Sequence, residues 1–84
     1  MTSATVPPKR IAATVDARGL ICPFSLIAVW RGLNQLRSGE VLEAISDHYE
    51  TCNETVPRMC DAEGHHWERE SRPEGGCRFL IEKV

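Results

Sequence analysis

A proline directly after a cysteine, Cys22-Pro23, constrains the folding of this 84-residue chain more than any other pair in it. Proline is favoured at the first position of a helix, where its missing N–H would have had no partner in any case. Ahead of the pair, Val15-Asp16-Ala17-Arg18-Gly19-Leu20-Ile21 is a short apolar run broken by a glycine turn. Behind it, Leu26, Val29, Trp30, Leu33 and Leu36 fall at the i, i+3, i+4, i+7 spacing of a helix with one buried face. The pair therefore marks the place where a strand has ended and a helix begins. Cys22 stands at the helix N-cap or one residue before it. A thiol there faces unpaired backbone N–H groups and the positive end of the helix dipole, both of which favour thiolate. Thiolate is the reactive form of sulfur, so Cys22 is the candidate nucleophile or sulfur carrier, and Pro23 fixes the turn that presents it.

The remaining elements follow from similar signals. Residues 11–16 read as a first strand, ended by Arg18-Gly19, and residues 23–36 as the first helix, stopped by Ser38-Gly39. Residues 40–46 are a second strand, and the loop 47–53 leads to a second helix over about 54–63. Asn53 or Thr55 serves as its cap, Pro57 is tolerated in its first turn, and Gly64 ends it. Residues 65–72 alternate as a strand, Pro73-Glu74-Gly75-Gly76 is a turn, and residues 77–83 form a last strand with Phe79 and Ile81 on one face. The order is β-α-β-α-β-β. A strand–helix–strand unit crosses over right-handed between parallel strands, and the last two strands can pair as an antiparallel hairpin. The expected architecture is an α+β two-layer sandwich, a four-stranded mixed sheet with two helices on one face. It forms a single domain over residues 11–84 behind a flexible lead-in over residues 1–10.

This topology sends the carboxyl ends of the first two strands, and the starts of both helices, to one edge of the sheet. Cys22 and the 47–53 loop with Cys52 become neighbours there, at the kind of edge where open α/β sheets carry their sites. Cys52 is thus a candidate second thiol, either a resolving partner of Cys22 or a loop residue without a role. A bridge between them would need Cα atoms within about 7 Å. Asp47 and His48 are candidate modulators of a thiol at the same edge. Cys60, inside the second helix, reads as core, and Cys77 as structural or incidental. Trp30 and Trp67 read as core, and Glu68, Arg69, Glu70 and Arg72 as a solvated face.

Composition excludes several classes. Ten basic against twelve acidic residues give a net charge of −2 with no basic stripe, which disfavours direct nucleic-acid binding. No apolar stretch approaches the roughly 20 residues that span a bilayer, and residues 1–10 lack a secretory signal, so a cytoplasmic location is expected. In a reducing cytosol, four cysteines are expected as reactive or buried thiols rather than a disulfide framework. Cys60 with His65 and His66 has no recognised metal spacing, so no metal site is expected, and His65 is read as satisfying a local hydrogen bond.

The run Asp16-x-x-Gly19-Leu20-x-Cys22-Pro23 resembles the signature of the TusA/SirA-like sulfur-carrier family. So do Leu33 and Leu36 followed by Gly39-Glu40-x-Leu42, then Asp47, Val56-Pro57, Gly64-His65 and the ending Phe79-x-Ile81-x-Lys83. The resemblance covers about residues 13–83 and implies a two-layer β-α-β-α-β-β domain. It also implies that the cysteine matching Cys22 accepts sulfur as a persulfide from a cysteine desulfurase or rhodanese-type donor and passes it to an acceptor protein. No cofactor is implied, because the sulfur rides on the protein. The sequence departs from the family at Ser25, which replaces the second proline of Cys-Pro-x-Pro. It departs again in the His48-Tyr49-Glu50-Thr51-Cys52 loop, and at Trp30 and Asn34 beside Arg31. The expected function is a persulfide relay rather than multiple-turnover catalysis on a small molecule. The alternative is a non-catalytic redox-sensing or interaction module with a Cys22–Cys52 thiol pair.

Overall fold

The computed structural model describes residues 11–84, so the expected lead-in lies outside the described residues. The chain runs β1 (Ile11–Asp16), α1 (Phe24–Asn34), β2 (Val41–Ser46), a π-helical turn (Thr51–Thr55), α2 (Val56–Glu63), β3 (His66–Ser71) and β4 (Cys77–Glu82). The sheet order is β1-β2-β4-β3. β1 and β2 are parallel, as a helical crossover requires, while β4 pairs antiparallel with both β2 and β3. The expected four-stranded mixed sheet with two helices is therefore present.

Val29 and Leu33, one helical turn apart, are the buried centre of α1. They join Leu42, Ala44, Val56, Cys60, Phe79 and Ile81 in the core between helices and sheet. α1 lies so close to the sheet that a Cβ at Gly32 would stand 2.7 Å from Val15 Cγ2 and 3.3 Å from Leu42 Cδ1. Trp67 packs on Phe79 with ring centroids 5.9 Å apart and planes tilted by 59°, within the favourable range for aromatic pairs. Trp30 departs from its expected core position. It sits at the edge of the buried stripe, 43% exposed, where its indole N–H donates to Glu63 Oε2 on α2 (3.3 Å).

The sheet face away from the helices is closed by a polar ladder with one residue from each strand. Thr14 Oγ1 donates to Glu43 Oε1 (2.9 Å), Arg78 Nε donates to Glu43 Oε2, and Arg78 Nη1 donates to Glu70 Oε1 (3.0 Å). The Arg78 hydrogen bond, helped by Thr14, holds the Glu43 carboxyl below the usual carboxylate range. His65 is buried, as its expected local role requires. Its Nδ1 accepts the Val84 N–H (3.2 Å) and its Nε2 lies 3.2 Å from Glu63 Oε1.

The second helix departs from expectation at its start. Neither Asn53 nor Thr55 caps it through its side chain. Helical backbone begins at Tyr49, inside the expected loop, and passes through the π turn, where the Val56 N–H reaches back to Thr51 O. Thr51 and Cys52 are drawn inward and buried, which fixes the turn from the inside rather than by a cap.

Candidate functional site

The site is assembled at the edge where β1 and β2 end. The Ala17 N–H extends the parallel pairing by donating to Ile45 O (2.7 Å). Arg18 turns back on Asp16 through two side-chain bonds of 2.8 and 2.7 Å, which hold the Asp16 carboxyl down to about 2. The Gly19 N–H donates to Asp47 Oδ1 (3.1 Å), so the residue just beyond β2 fastens the loop that leads to Cys22. Asp47 thus positions the loop.

Cys22 follows, joined to Pro23 by a cis peptide bond, and Pro23 is the N-cap of α1. The first two helical N–H groups, of Phe24 and Ser25, both donate to Ile21 O (2.8 and 3.1 Å). They are therefore satisfied by the loop and not left for the thiol, as the sequence had suggested. The Cys22 thiol is half-buried, and its hydrogen-bond partner is Thr55 Oγ1 in the π turn, 3.6 Å away. Ser25 lies fully buried beneath it, with its hydroxyl bonded to Thr51 Oγ1, which also meets His48 Nδ1 at 3.2 Å. His48 therefore reaches the site through two hydroxyls and does not touch the Cys22 sulfur. Thr55 was expected only as a helix cap; a hydroxyl in the segment that opens the second helix at this edge was the available signal.

Cys52 corrects the expected second thiol. It is bonded to Cys77, at the start of β4, with Cα atoms 5.9 Å apart, so the Cys22–Cys52 pair is not formed. The register explains this: Cys77 stands opposite Ser46 at the end of β2, and Cys52 Sγ lies 3.5 Å from Ser46 O. Cys77, expected as structural or incidental, is structural: it is half of the bridge. Of the two free cysteines, Cys60 is buried, and burial, helped by Asp61 and Glu63, pushes its thiol up to about 12. Cys22 alone among the described free thiols reaches solvent.

The surround of Cys22 is apolar. Ile21 and Phe24 are each 61% exposed, with Leu20, Ile27 and Trp30 also at the surface. A cleft of about 310 Å³ is lined by Asp47, His48, Tyr49, Cys52, Asn53, Arg69 and Gly76. Gly76 is required there, because its φ is +78° and a Cβ would stand 2.1 Å from Ser46 O.

Residues 13–83 match the profile of the family described as Sulfurtransferase TusA. The chain belongs to the TusA sulfurtransferase family. Two proteins of Archaeoglobus fulgidus, each named as a candidate sulfur carrier protein, are similar to this TusA-family chain. One is 43% identical over 51 residues, covering 61% of this chain and 57% of the relative. The other is 31% identical over 70 residues, covering 83% of this chain and 94% of the relative. A SirA-like protein of Desulfitobacterium hafniense shares the fold, with a TM-score of 0.75 and 24% identity over 83% of this chain and 95% of that one. No helix among the described residues is long and apolar enough to cross a membrane.

Proposed function

We propose that this TusA-family chain carries sulfur as a persulfide on Cys22 and relays it between proteins. The observation that carries the reading is the exposure of one reactive-type thiol, Cys22, at the start of α1, while the other three cysteines are buried or bridged. Loading balances as a thiol exchange. The Cys22 thiolate attacks the outer sulfur of a donor persulfide, a new S–S bond forms on Cys22, the donor S–S bond breaks, and the donor leaves as thiolate. Handover repeats the exchange, with an acceptor thiolate attacking the outer sulfur on Cys22.

The local structure supports both steps. The Thr55 hydroxyl that accepts from the thiol can rotate to donate to an anionic sulfur. The carrier sulfur must meet a partner's sulfur directly, and Leu20, Ile21, Phe24 and Ile27, all exposed on the turn and first helix around Cys22, offer that partner apolar contacts. The donor is expected to be a cysteine desulfurase or rhodanese-type protein, the acceptor a second protein with a free thiol, and no cofactor is required. Intact mass after incubation with a desulfurase and cysteine, then with a rhodanese-type donor, tests the reading. One added sulfur atom is expected on the wild type and none on Cys22→Ser; loading of that variant to the wild-type extent would remove Cys22 from the role.

A further inference from the structure

We propose that the Cys52–Cys77 bridge is a second sulfur-reactive site, opened by a small carboxylate-bearing thiol that enters the adjacent cleft. Opening it loosens the turn against which Cys22 lies. Three observations converge on this. Cys52 and Gly76, the residue before Cys77, both border the cleft. At about 310 Å³ the cleft lies at the small end of the roughly 300–1,000 Å³ range of small-molecule pockets. Its lining offers a carboxylate one cation, Arg69, which pairs with no carboxylate among the described residues, while the one anionic group of the lining, Asp47, is turned to the Gly19 N–H. The bridge is covered, with Cys52 2% exposed, so a thiol reaches the Cys52 sulfur only if the turn moves toward the cleft that it borders.

The exchange balances with two equivalents of thiol. One thiolate attacks Cys52 Sγ, a mixed disulfide forms, the Cys52–Cys77 bond breaks, and Cys77 leaves as thiolate and takes a proton. The second thiolate attacks the outer sulfur of the mixed disulfide, the oxidised small-molecule disulfide departs, and Cys52 becomes a thiol. The consequence for Cys22 follows from position. Cys52 stands between Thr51, bonded to the buried Ser25, and Thr55, bonded to Cys22. Without the bridge the turn loses its covalent tie to β4, and Cys22 loses a fixed partner.

Alkylation mapped by peptide mass tests this on the full chain. The unreduced, denatured protein should label at Cys22 and Cys60 alone. Native protein treated with glutathione should then label at Cys52 and Cys77 as well, and Cys22, without the fixed Thr55 hydroxyl that supports its thiolate, should label severalfold more slowly. Arg69→Gln should slow the glutathione reaction roughly two- to fivefold, the size of one exposed charge interaction, and leave the rate with neutral 2-mercaptoethanol unchanged. Four labelled cysteines without reductant would remove the bridge. Opening only by a thioredoxin-type protein would make the occupant a protein partner and overturn the cleft as a small-thiol site. An unchanged Cys22 rate, or loss of circular-dichroism structure on reduction, would leave a structural staple and no coupling. The readouts do not involve sulfur loading, and Cys22→Ser should keep the same bridge chemistry, so this inference and the carrier reading fail separately.

Discussion

Cys22 and Cys60 carry the same functional group in opposite surroundings. Cys60 is walled into the core beside two acidic neighbours and is pushed up to about 12, so at neutral pH it holds its proton and has no path to a reagent. Brief iodoacetamide treatment of native protein should therefore modify Cys22 and leave Cys60 unmodified until denaturant is added. Residue-level roles of this kind were partly legible. The helical phase of Cys60 with Val56 marked it as core, and Pro23 marked the start of α1. The Thr55 contact was legible only as a hydroxyl near the start of the second helix; its reach to Cys22 depends on the π turn, which carries no period of its own. The carboxylates add a pH prediction. Asp16, held to about 2 by Arg18, and Glu43, held low by Arg78, both bind protons less readily in the folded chain than in the unfolded one. Their stabilisation is fully present above the ordinary carboxylate range and is lost as pH falls through it toward about 2. Urea melts at several acidic pH values should show stability falling with pH, and Glu43→Gln should flatten that slope.

At the scale of elements, the periodic segments were read within a residue or two, as helix ends usually are. The π turn was not, because Tyr49, Glu50, Asn53 and Glu54 present a polar string whose conformation is set by the two inward residues, Thr51 and Cys52. Thr51 does double duty there, meeting both Ser25 and His48. Thr51→Val keeps the shape and removes the hydroxyl, leaving the fully buried Ser25 hydroxyl without its partner. We expect a loss of about 1–3 kcal/mol, read from urea denaturation, with the disulfide intact in the folded variant. A loss below half of the lower figure would show that the hydroxyls contribute packing alone. Ser25→Pro, which restores the family's Cys-Pro-x-Pro pattern, removes the other hydroxyl of that bond and also the N–H bonded to Ile21 O. It should destabilise this chain at least as much as Thr51→Val.

For the molecule as a whole, the β-α-β-α-β-β order was legible because each strand and helix carried its own period. The handedness of the crossover and the hairpin then left few arrangements. The same topology contained the disulfide without revealing it. It brought Cys52 to the edge where β1 and β2 end, and Cys22 was the thiol already placed there. Antiparallel pairing of β4 with β2 brings a third cysteine to that edge, Cys77 opposite Ser46, and this register could not be read from spacing alone. The bridge closes a loop between residues 25 apart in sequence. On the loop-entropy account, a closure of that length stabilises by about 3–4 kcal/mol, against a total on the order of 4–13 kcal/mol for a chain of this size. The Cys52→Ala/Cys77→Ala double variant should therefore still fold, because the helices, the sheet and the Phe79–Trp67 contact remain. Its unfolding midpoint in urea should drop by an amount corresponding to about 3–4 kcal/mol, plus what the lost core volume adds. Reduced wild type should show the first part of that loss alone. Equal stability of oxidised and reduced wild type would mean that the bridge leaves the unfolded ensemble unconstrained. The fold would then rest entirely on the core between the sheet and its two helices.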